Sequence, residues 1–210
     1  MKFYVLDANL FFDTKYASGE EVDPEYGDSE NCPYCGSPLT SLRWLQPYKV
    51  KLLKPKFGDF VFGLIEPFLA SENFMNKYLK SGLKGITKFE KVEVVKINWM
   101  KSNTSPPPNY YYVSLIRSKT RIDEKRSKFK RKGKIECEKC RTGGTIENYE
   151  GYYFEEGTYD GEDIFIATGL PGEIFVSPKF YDFGKENNFT NLNFIPAEEY
   201  RPFRATWHEK

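Results

Sequence analysis

Short runs of aromatic, β-branched and other apolar residues, separated by turn-forming and charged residues, make up most of the pattern along this chain. Runs of this composition are typical of strands. We therefore predict a strand at each of the following segments: 48–53, 59–62, 89–98, 109–116, 150–154, 164–167, 174–176 and 192–195.

A helical pattern follows Ser71, whose hydroxyl can accept a free amide of a first helical turn. Gly82 closes the pattern, since glycine tolerates the left-handed conformation that ends many helices. One apolar face is marked by Phe74, Met75, Tyr78 and Leu79. A second helix is predicted behind Ser177, with Pro178 at its first position. Two short helices among many strands predict an α+β fold.

The same pattern occurs twice along the chain. Cys32 and Cys35 recur 105 residues later as Cys137 and Cys140, and Gly63 recurs as Gly169 at an offset of 106. At that same offset fall Ser71 with Ser177, Phe74 with Phe180, Gly82 with Asn188, Leu83 with Phe189 and Glu93 with Glu199. An opening strand repeats too, with residues 3–5 matching residues 111–113. We predict an internal duplication, because chance would not hold cysteines, caps and helix ends at nearly one spacing.

The duplication divides the chain into an N-terminal repeat, residues 1–108, and a C-terminal repeat, residues 109–210, packed as one compact unit. Residues 101–108 form the predicted linker, in which three consecutive prolines favour an extended backbone. Each repeat is predicted to hold a metal knuckle, short strands and one capped helix.

Cys32, Cys35, Cys137 and Cys140 are the candidate metal ligands. Two thiolates three positions apart can chelate one ion, and Gly36 allows the backbone to turn tightly beneath it. The second pair lacks this glycine, since Arg141 takes its place, although Gly143 and Gly144 follow. One pair cannot complete a tetrahedral site and no histidine lies near. We therefore predict one structural zinc ion shared by both repeats.

Two other interpretations of the cysteines stay open at this point. They can be ordinary buried or free cysteines, or one pair can be a redox-active pair. The reducing cytoplasm, where we expect this protein, favours metal over disulfide. That location is expected because the apolar run at the amino terminus is too short for a signal peptide, and because no segment approaches the ~18 apolar residues of a membrane span.

The net charge of +1 excludes a strongly basic or acidic protein, but the charges are segregated. Residues 117–134 are rich in Lys and Arg, whereas residues 20–30 and 142–178 are acidic. Residues 20–30 include Tyr26, and residues 142–178 are rich in tyrosine. A solvated loop is the plain interpretation of each run. The sharper hypothesis is that the acidic, tyrosine-rich segment binds a basic protein partner. Its candidate contact residues are Glu155, Glu156, Asp160, Glu162 and Asp163.

The sequence offers little for catalysis. His208 is the single histidine and stands near the carboxyl end, and the chain has neither a phosphate-binding glycine loop nor a nucleophile elbow. Residues 160–163 could hold a divalent cation, but a turn before the strand at Ile164 explains them better. We predict that the protein is not an enzyme, while a hydrolase that uses carboxylates alone stays open.

Several segments together resemble the double-CXXCG-motif immunity proteins, the antidotes of swarming-inhibition lipoprotein toxins. The first is Cys-Pro-Tyr-Cys-Gly at 32–36, and the last and most specific is Gly-Leu-Pro-Gly at 169–172 with residues 189–200. The segments between them are 42–45, 56–60, 89–94, 106–111, 137–140 and 161–167. The similarity covers nearly the whole chain and departs at Arg141, which breaks the second CXXCG motif.

The resemblance implies a small cytoplasmic protein that binds and neutralises one cognate protein toxin, which could be a nuclease. It implies no small-molecule substrate and no membrane association. The alternative is a zinc-ribbon-like module that binds nucleic acid through residues 117–134. That segment holds one aromatic residue, Phe129, and no recognised nucleic-acid motif, so nucleic acid is not the expected partner.

Overall fold

The computed structural model describes residues 1–7, 15–65, 67–99 and 105–201. Within these residues the chain forms fifteen strands and two α-helices, and the fold is therefore α+β as predicted. His208 and the first four residues of the predicted linker lie outside the described residues. In chain order the elements are β1 (Tyr4–Asp7), β2 (Gly19–Glu21), β3 (Glu25–Gly27), β4 (Arg43–Leu45), β5 (Lys49–Leu52), β6 (Phe60–Val61), β7 (Leu69–Ser71), α1 (Glu72–Ser81), β8 (Ile86–Ile97), β9 (Tyr110–Leu115), β10 (Arg117–Arg121), β11 (Lys130–Lys132), β12 (Thr145–Asn148), β13 (Ile164–Thr168), β14 (Ile174–Val176), α2 (Pro178–Glu186) and β15 (Asn193–Pro196), followed by a 3₁₀ turn at Ala197–Glu199.

Two larger sheets carry most of these strands. The first sheet has five strands in the order β10-β13-β14-β1-β15, and the second has six in the order β2-β5-β8-β9-β7-β6. Strand β1 therefore pairs with β14 and β15, while β9 pairs with β7 and β8. The opening strand of each predicted repeat thus pairs with strands of the other predicted repeat.

Alternation along the strands separates the core into layers. Leu6 of β1 and Val113 of β9 face a central core that also holds Phe74 of α1 and Phe180 of α2. Val5, the neighbour of Leu6, faces a second core on the outer side of the first sheet. A third core, which includes Trp44, packs against the outer side of the second sheet. Aromatic residues take part in all three cores, which accounts for the 17% aromatic content.

Both helices begin at the predicted caps. The Ser71 hydroxyl accepts a hydrogen bond from the Phe74 N–H at 3.2 Å, and the Ser177 hydroxyl accepts one from the Phe180 N–H at 3.3 Å. Helix α1 ends at Gly82 with φ +72°, and Asn188, just beyond α2, has φ +50°. Both residues adopt the left-handed conformation that was predicted from their residue types.

One predicted strand is wrong. Residues 150–154 form no regular strand, and Phe154 makes only an isolated bridge with Ile122. The reason is Gly151, which has φ +83° and lies so close to Glu198 that a Cβ atom would stand 2.2 Å from the Glu198 carbonyl oxygen. A left-handed residue in this position turns the chain away from the ladder. The short strands β2, β3, β4, β7, β10, β11 and β12 were not predicted.

Candidate functional site

The four cysteines meet at one point between the two halves of the chain. Their sulfur atoms all lie within 4.8 Å of one another, and Cys35 Sγ is 3.6 Å from Cys140 Sγ. Four sulfurs at about 2.3 Å from a tetrahedral zinc ion stand about 3.8 Å apart. All four cysteines are free thiols, and only Cys35 is exposed. The donor set and its spacing therefore fit one metal ion.

The two cysteine turns have the same backbone hydrogen bonds. The Gly36 N–H donates to the Cys32 carbonyl at 2.8 Å, and the Arg141 N–H donates to the Cys137 carbonyl at 2.7 Å. Gly36 has φ +74° and Arg141 has φ +56°, so both stand in the left-handed region. Arg141 thus adopts the conformation for which glycine is the usual residue.

Contacts of its side chain hold Arg141 in this conformation. Its Nη2 atom forms an ion pair with Glu155 Oε1 at 2.6 Å, and its Nη1 atom donates to the Ile122 carbonyl at 3.3 Å. Gly143 and Gly144, which were predicted to substitute for the missing glycine, instead pack closely against residues 131–136. A Cβ atom on Gly143 would lie 2.5 Å from the Glu136 backbone nitrogen.

Ser37 forms hydrogen bonds with the first cysteine pair, and Thr142 forms them with the second. The Ser37 carbonyl accepts a hydrogen bond from the Cys32 N–H at 2.8 Å, and the Thr142 carbonyl accepts one from the Cys137 N–H at 3.3 Å. The Thr142 hydroxyl lies 3.1 Å from Cys140 Sγ. Hydrogen bonds from the Ser37 hydroxyl and N–H lower the pKa of the Cys35 thiol to about 6. A thiolate is the form that binds metal, so this environment favours ligation.

The acidic candidates for partner contact divide into two groups. Glu156 and Asp160 are exposed, and Glu155 is half-buried in its pair with Arg141. Glu162 and Asp163, by contrast, are only 8% and 5% exposed.

The two buried carboxylates have partners inside the fold. Glu162 accepts a hydrogen bond from the Ser118 hydroxyl at 3.1 Å, and Asp163 accepts one from the Ser177 hydroxyl at 2.7 Å. The side chains of Glu162 and Asp163 are therefore engaged within the fold. Residues 160–163, where a turn was preferred over a cation site, lead directly into β13.

A small cleft of about 300 Å³ gives the exposed acidic group a shape. Glu155 and Glu156 line it together with Tyr153 and Tyr159. The predicted combination of acid and tyrosine is therefore present at the surface, although it is smaller than the sequence suggested.

Acidic side chains neutralise part of the positive charge of the basic segment, residues 117–134. Arg131 pairs with Glu124 at 2.7 Å, and Lys128 pairs with Glu150 at 2.5 Å. Lys119 lies 3.6 Å from Asp160. Such pairing reduces the positive field that phosphate binding requires.

A larger cleft, of about 700 Å³, lies beside the metal centre and was not predicted. Its lining includes Cys140, Tyr149, Tyr152 and Glu173. Glu173 directly follows Gly-Leu-Pro-Gly at 169–172, the most specific part of the family resemblance. That position was the one signal in the sequence that could have drawn attention to this carboxylate.

In the part of the chain that the structure describes, no helix has the length and apolar character needed to cross a membrane. The candidate site is a cluster of four cysteines beside the large cleft, which Cys32 and Cys140 help to line.

Residues 75–199 match the model of the Immunity protein family (Imm11). This match covers well over half of the chain, and the protein belongs to this family of immunity proteins. The resemblance to immunity proteins in the sequence is thereby confirmed. A comparison with curated proteins gives no match.

Proposed function

We propose that this protein binds one cognate bacterial toxin and neutralises it in the cytoplasm of the cell that makes both. Membership of the immunity family over residues 75–199 is the observation that carries the proposal. Immunity acts through binding, so the proposed role requires no catalysis. Four free thiols in one chain are compatible with a reducing compartment.

The proposed resident metal is one zinc ion, held by the thiolates of Cys32, Cys35, Cys137 and Cys140. Four protein ligands complete a tetrahedral shell and leave no open position for water, so the ion acts in folding. Because each half supplies two ligands, the ion ties residues 32–35 to residues 137–140.

The proposed internal duplication gains support from matched contacts in the two halves. The backbone N–H groups of Ser71 and Ser177 donate to the carbonyls of Asp59 and Asp163 at 2.8 and 2.9 Å. The strand registers match too, since Phe60 lies opposite Ala70 and Ile164 lies opposite Val176. We propose residues 1–108 and 109–210 as the two copies, which exchange β1 and β9.

The proposed toxin is basic, and a nuclease is one class that meets this description. Exposed Glu156 and Asp160, with Glu155 beside them, offer it an acidic face with tyrosines nearby. We advance no separate nucleic-acid-binding function, because Lys119, Lys128 and Arg131 of this segment are paired with carboxylates of the same chain.

Co-expression tests the proposal directly. The toxin encoded next to this gene is produced with and without the immunity protein, and growth and complex formation are scored. We expect growth to be restored and a stable 1:1 complex to be isolated. Failure to protect and failure to form a complex, with both proteins folded and soluble, would refute the proposed function.

A further inference from the structure

Three tyrosines form a stacked aromatic wall at the large cleft. The ring centroids of Tyr149 and Tyr152 are 4.6 Å apart with an interplanar angle of 23°. Tyr200 continues the stack, with its centroid 5.6 Å from that of Tyr152 at the same angle of 23°. Tyr149 and Tyr152 line the large cleft, and Tyr200 lines an adjacent cleft of about 370 Å³. The faces of such rings are electron-rich and attract cations.

Glu173 stands where the two clefts meet and lines both of them. Its Oε1 atom accepts a hydrogen bond from the Tyr152 hydroxyl at 3.1 Å. Burial, reinforced by the charge of Asp7, raises the pKa of Glu173 to about 7 in spite of hydrogen bonds from Tyr152 and Tyr200. No Lys or Arg of the described residues forms an ion pair with this carboxylate.

Five cationic side chains line the large cleft, and four of them lie within 4.0 Å of a carboxylate. Arg131 is paired with Glu124, Arg141 with Glu155, Lys119 with Asp160 and Arg117 with Glu30, whereas Lys139 lies over the ring of Tyr34. Glu173 is the carboxylate that lines this cleft, and it forms no ion pair with the cations of the described residues. A desolvated carboxylate in this condition gains most from an incoming cation, because its own desolvation has already occurred on folding.

We propose that the large cleft receives an arginine side chain of the toxin, whose guanidinium group binds Glu173 and stacks on Tyr149. Arginine fits better than lysine, because its planar group can bind a carboxylate through two N–H donors while its face lies on an aromatic ring. Aromatic pockets with one buried charge partner are typical centres of binding energy in protein interfaces. The inference rests on the proposed function and names the part of the toxin that is recognised.

The test uses the full chain, the variant Glu173→Gln and the matched control Glu186→Gln. Glutamine keeps the size of the side chain and an acceptor for the Tyr152 hydroxyl, but it removes the charge. Glu186 is an exposed carboxylate at the end of α2 and lines none of the three clefts described above. Urea denaturation of each variant verifies that the fold is retained.

In the first experiment, the affinity for the toxin encoded next to this gene is measured by calorimetry. We expect Glu173→Gln to weaken binding at least tenfold and Glu186→Gln to change it less than twofold. Equal affinity of Glu173→Gln and the wild type would overturn the inference while leaving the proposed function intact. Absence of any complex with the wild type would instead count against the proposed function.

The second experiment is independent of the toxin. Blocked arginine (N-acetylarginine amide) and its uncharged analogue, blocked citrulline, are titrated into the protein and followed by NMR. We expect saturable shifts of the tyrosine ring signals with arginine alone, and their loss in Glu173→Gln. Identical responses to arginine and citrulline, or no response to either, would overturn the inference whatever the toxin experiment gives.

A further variant decides the question if Glu173→Gln does not fold. Tyr149→Leu removes the stacking face and leaves the charge in place, so the response to blocked arginine should weaken at least threefold. An unchanged response would contradict the proposed stacking. If sedimentation shows that the wild type associates with itself and Glu173→Gln does not, a second copy of the chain occupies the cleft and the inference is wrong.

Discussion

Both halves of this protein support the start of a helix with an aspartate that binds the cap serine. The two aspartates differ in the number of hydrogen bonds that they accept. Asp59 accepts the Ser71 hydroxyl at 2.7 Å, as Asp163 accepts the Ser177 hydroxyl at 2.7 Å. Asp59 also accepts hydrogen bonds from the Asn73 side chain and from the N–H and hydroxyl of Thr190. Among the described residues, the carboxylate of Asp163 accepts one further bond, from the Lys84 N–H at 3.0 Å.

These aspartates do more than support a cap, because each one reaches into the other half. Thr190 follows α2 and bonds to Asp59, while Lys84 follows α1 and bonds to Asp163. The contact is so close that a Cβ atom on Gly85 would stand 1.8 Å from the Ile164 carbonyl oxygen. Each helix is therefore capped by residues of its own half. The segment that follows the helix is held by a hydrogen bond to the other half.

The cysteine turns show the opposite difference. The first turn uses Gly36 at the left-handed position, whereas the second uses Arg141 and a side chain anchored on Glu155. The first half therefore has more bonds at its aspartate, and the second half has more bonds at its knuckle. Substitutions at matched positions test whether the two halves nevertheless contribute equally to the stability of the fold.

The largest effect is expected from the metal ligands. Cys35→Ser and Cys140→Ser, which alter the same position of the two turns, should each abolish stoichiometric zinc binding. The loss of unfolding free energy should be comparable to the whole stability of a domain, about 5–15 kcal/mol, because one ion serves both halves. Metal analysis and urea denaturation measure both quantities.

Tyr34→Ser is the matched control for the metal ligands, since it changes an exposed residue inside the first turn and should keep the ion. Purified wild-type protein without zinc would contradict the single-site interpretation. Loss of the ion in only one of the two cysteine variants would contradict it as well.

An intermediate effect is expected from the aspartates. Asp59→Asn should lower the free energy of unfolding by about 3 kcal/mol and Asp163→Asn by about 2 kcal/mol, because charge-assisted hydrogen bonds are lost at each site and Asp59 makes more of them. Removing only the cap hydroxyl, in Ser71→Ala or Ser177→Ala, should cost about 1 kcal/mol. Equal losses for the two aspartate variants would remove the asymmetry inferred here.

Asp59 also predicts a pH dependence. Burial alone would raise its pKa, but hydrogen bonds from Asn73, Thr190 and Ser71 outweigh this effect and hold the pKa below its usual value. The resulting stability is present above the pKa of the unfolded chain, near 4, and is lost as the pH falls through the lower pKa of the folded state. Urea denaturation between pH 7 and pH 2 should show this loss in the wild type and a smaller one in Asp59→Asn.

The smallest effect is expected at the left-handed positions of the two turns. Gly36→Ala should cost about 1 kcal/mol, since a Cβ atom meets no neighbour there and only the backbone conformation resists it. Arg141→Gly relieves that conformation but loses the pair with Glu155, so its net effect should stay within about 1 kcal/mol of zero. A double-mutant cycle with Glu155→Gln separates the two contributions, and a loss above 3 kcal/mol would show that the side-chain anchor dominates.

Local chemistry explains what could be predicted. Ser71, Ser177, Gly82 and Asn188 act through hydrogen bonds or backbone conformations that depend on their immediate neighbours, so the helix bounds were predictable. The cysteine cluster was predictable for another reason, since two thiolates in one turn need further ligands and the chain holds only two more. The failure at residues 150–154 arose from the close approach of Glu198, which is distant in sequence.

The sequence by itself determined the candidate ligands, the caps, the α+β class and the resemblance to immunity proteins, because each depends on residue type and short spacing. Only the tertiary structure decided that β1 pairs with β14 and β15, that Glu162 and Asp163 are buried, and that Glu173 lines a cleft together with tyrosines. Strand pairing and burial depend on contacts between residues that are distant in sequence, such as Val5 with Phe175 and Ser118 with Glu162. The cleft at Glu173 is formed by segments that are distant in sequence, so it could be identified only after the chain was folded.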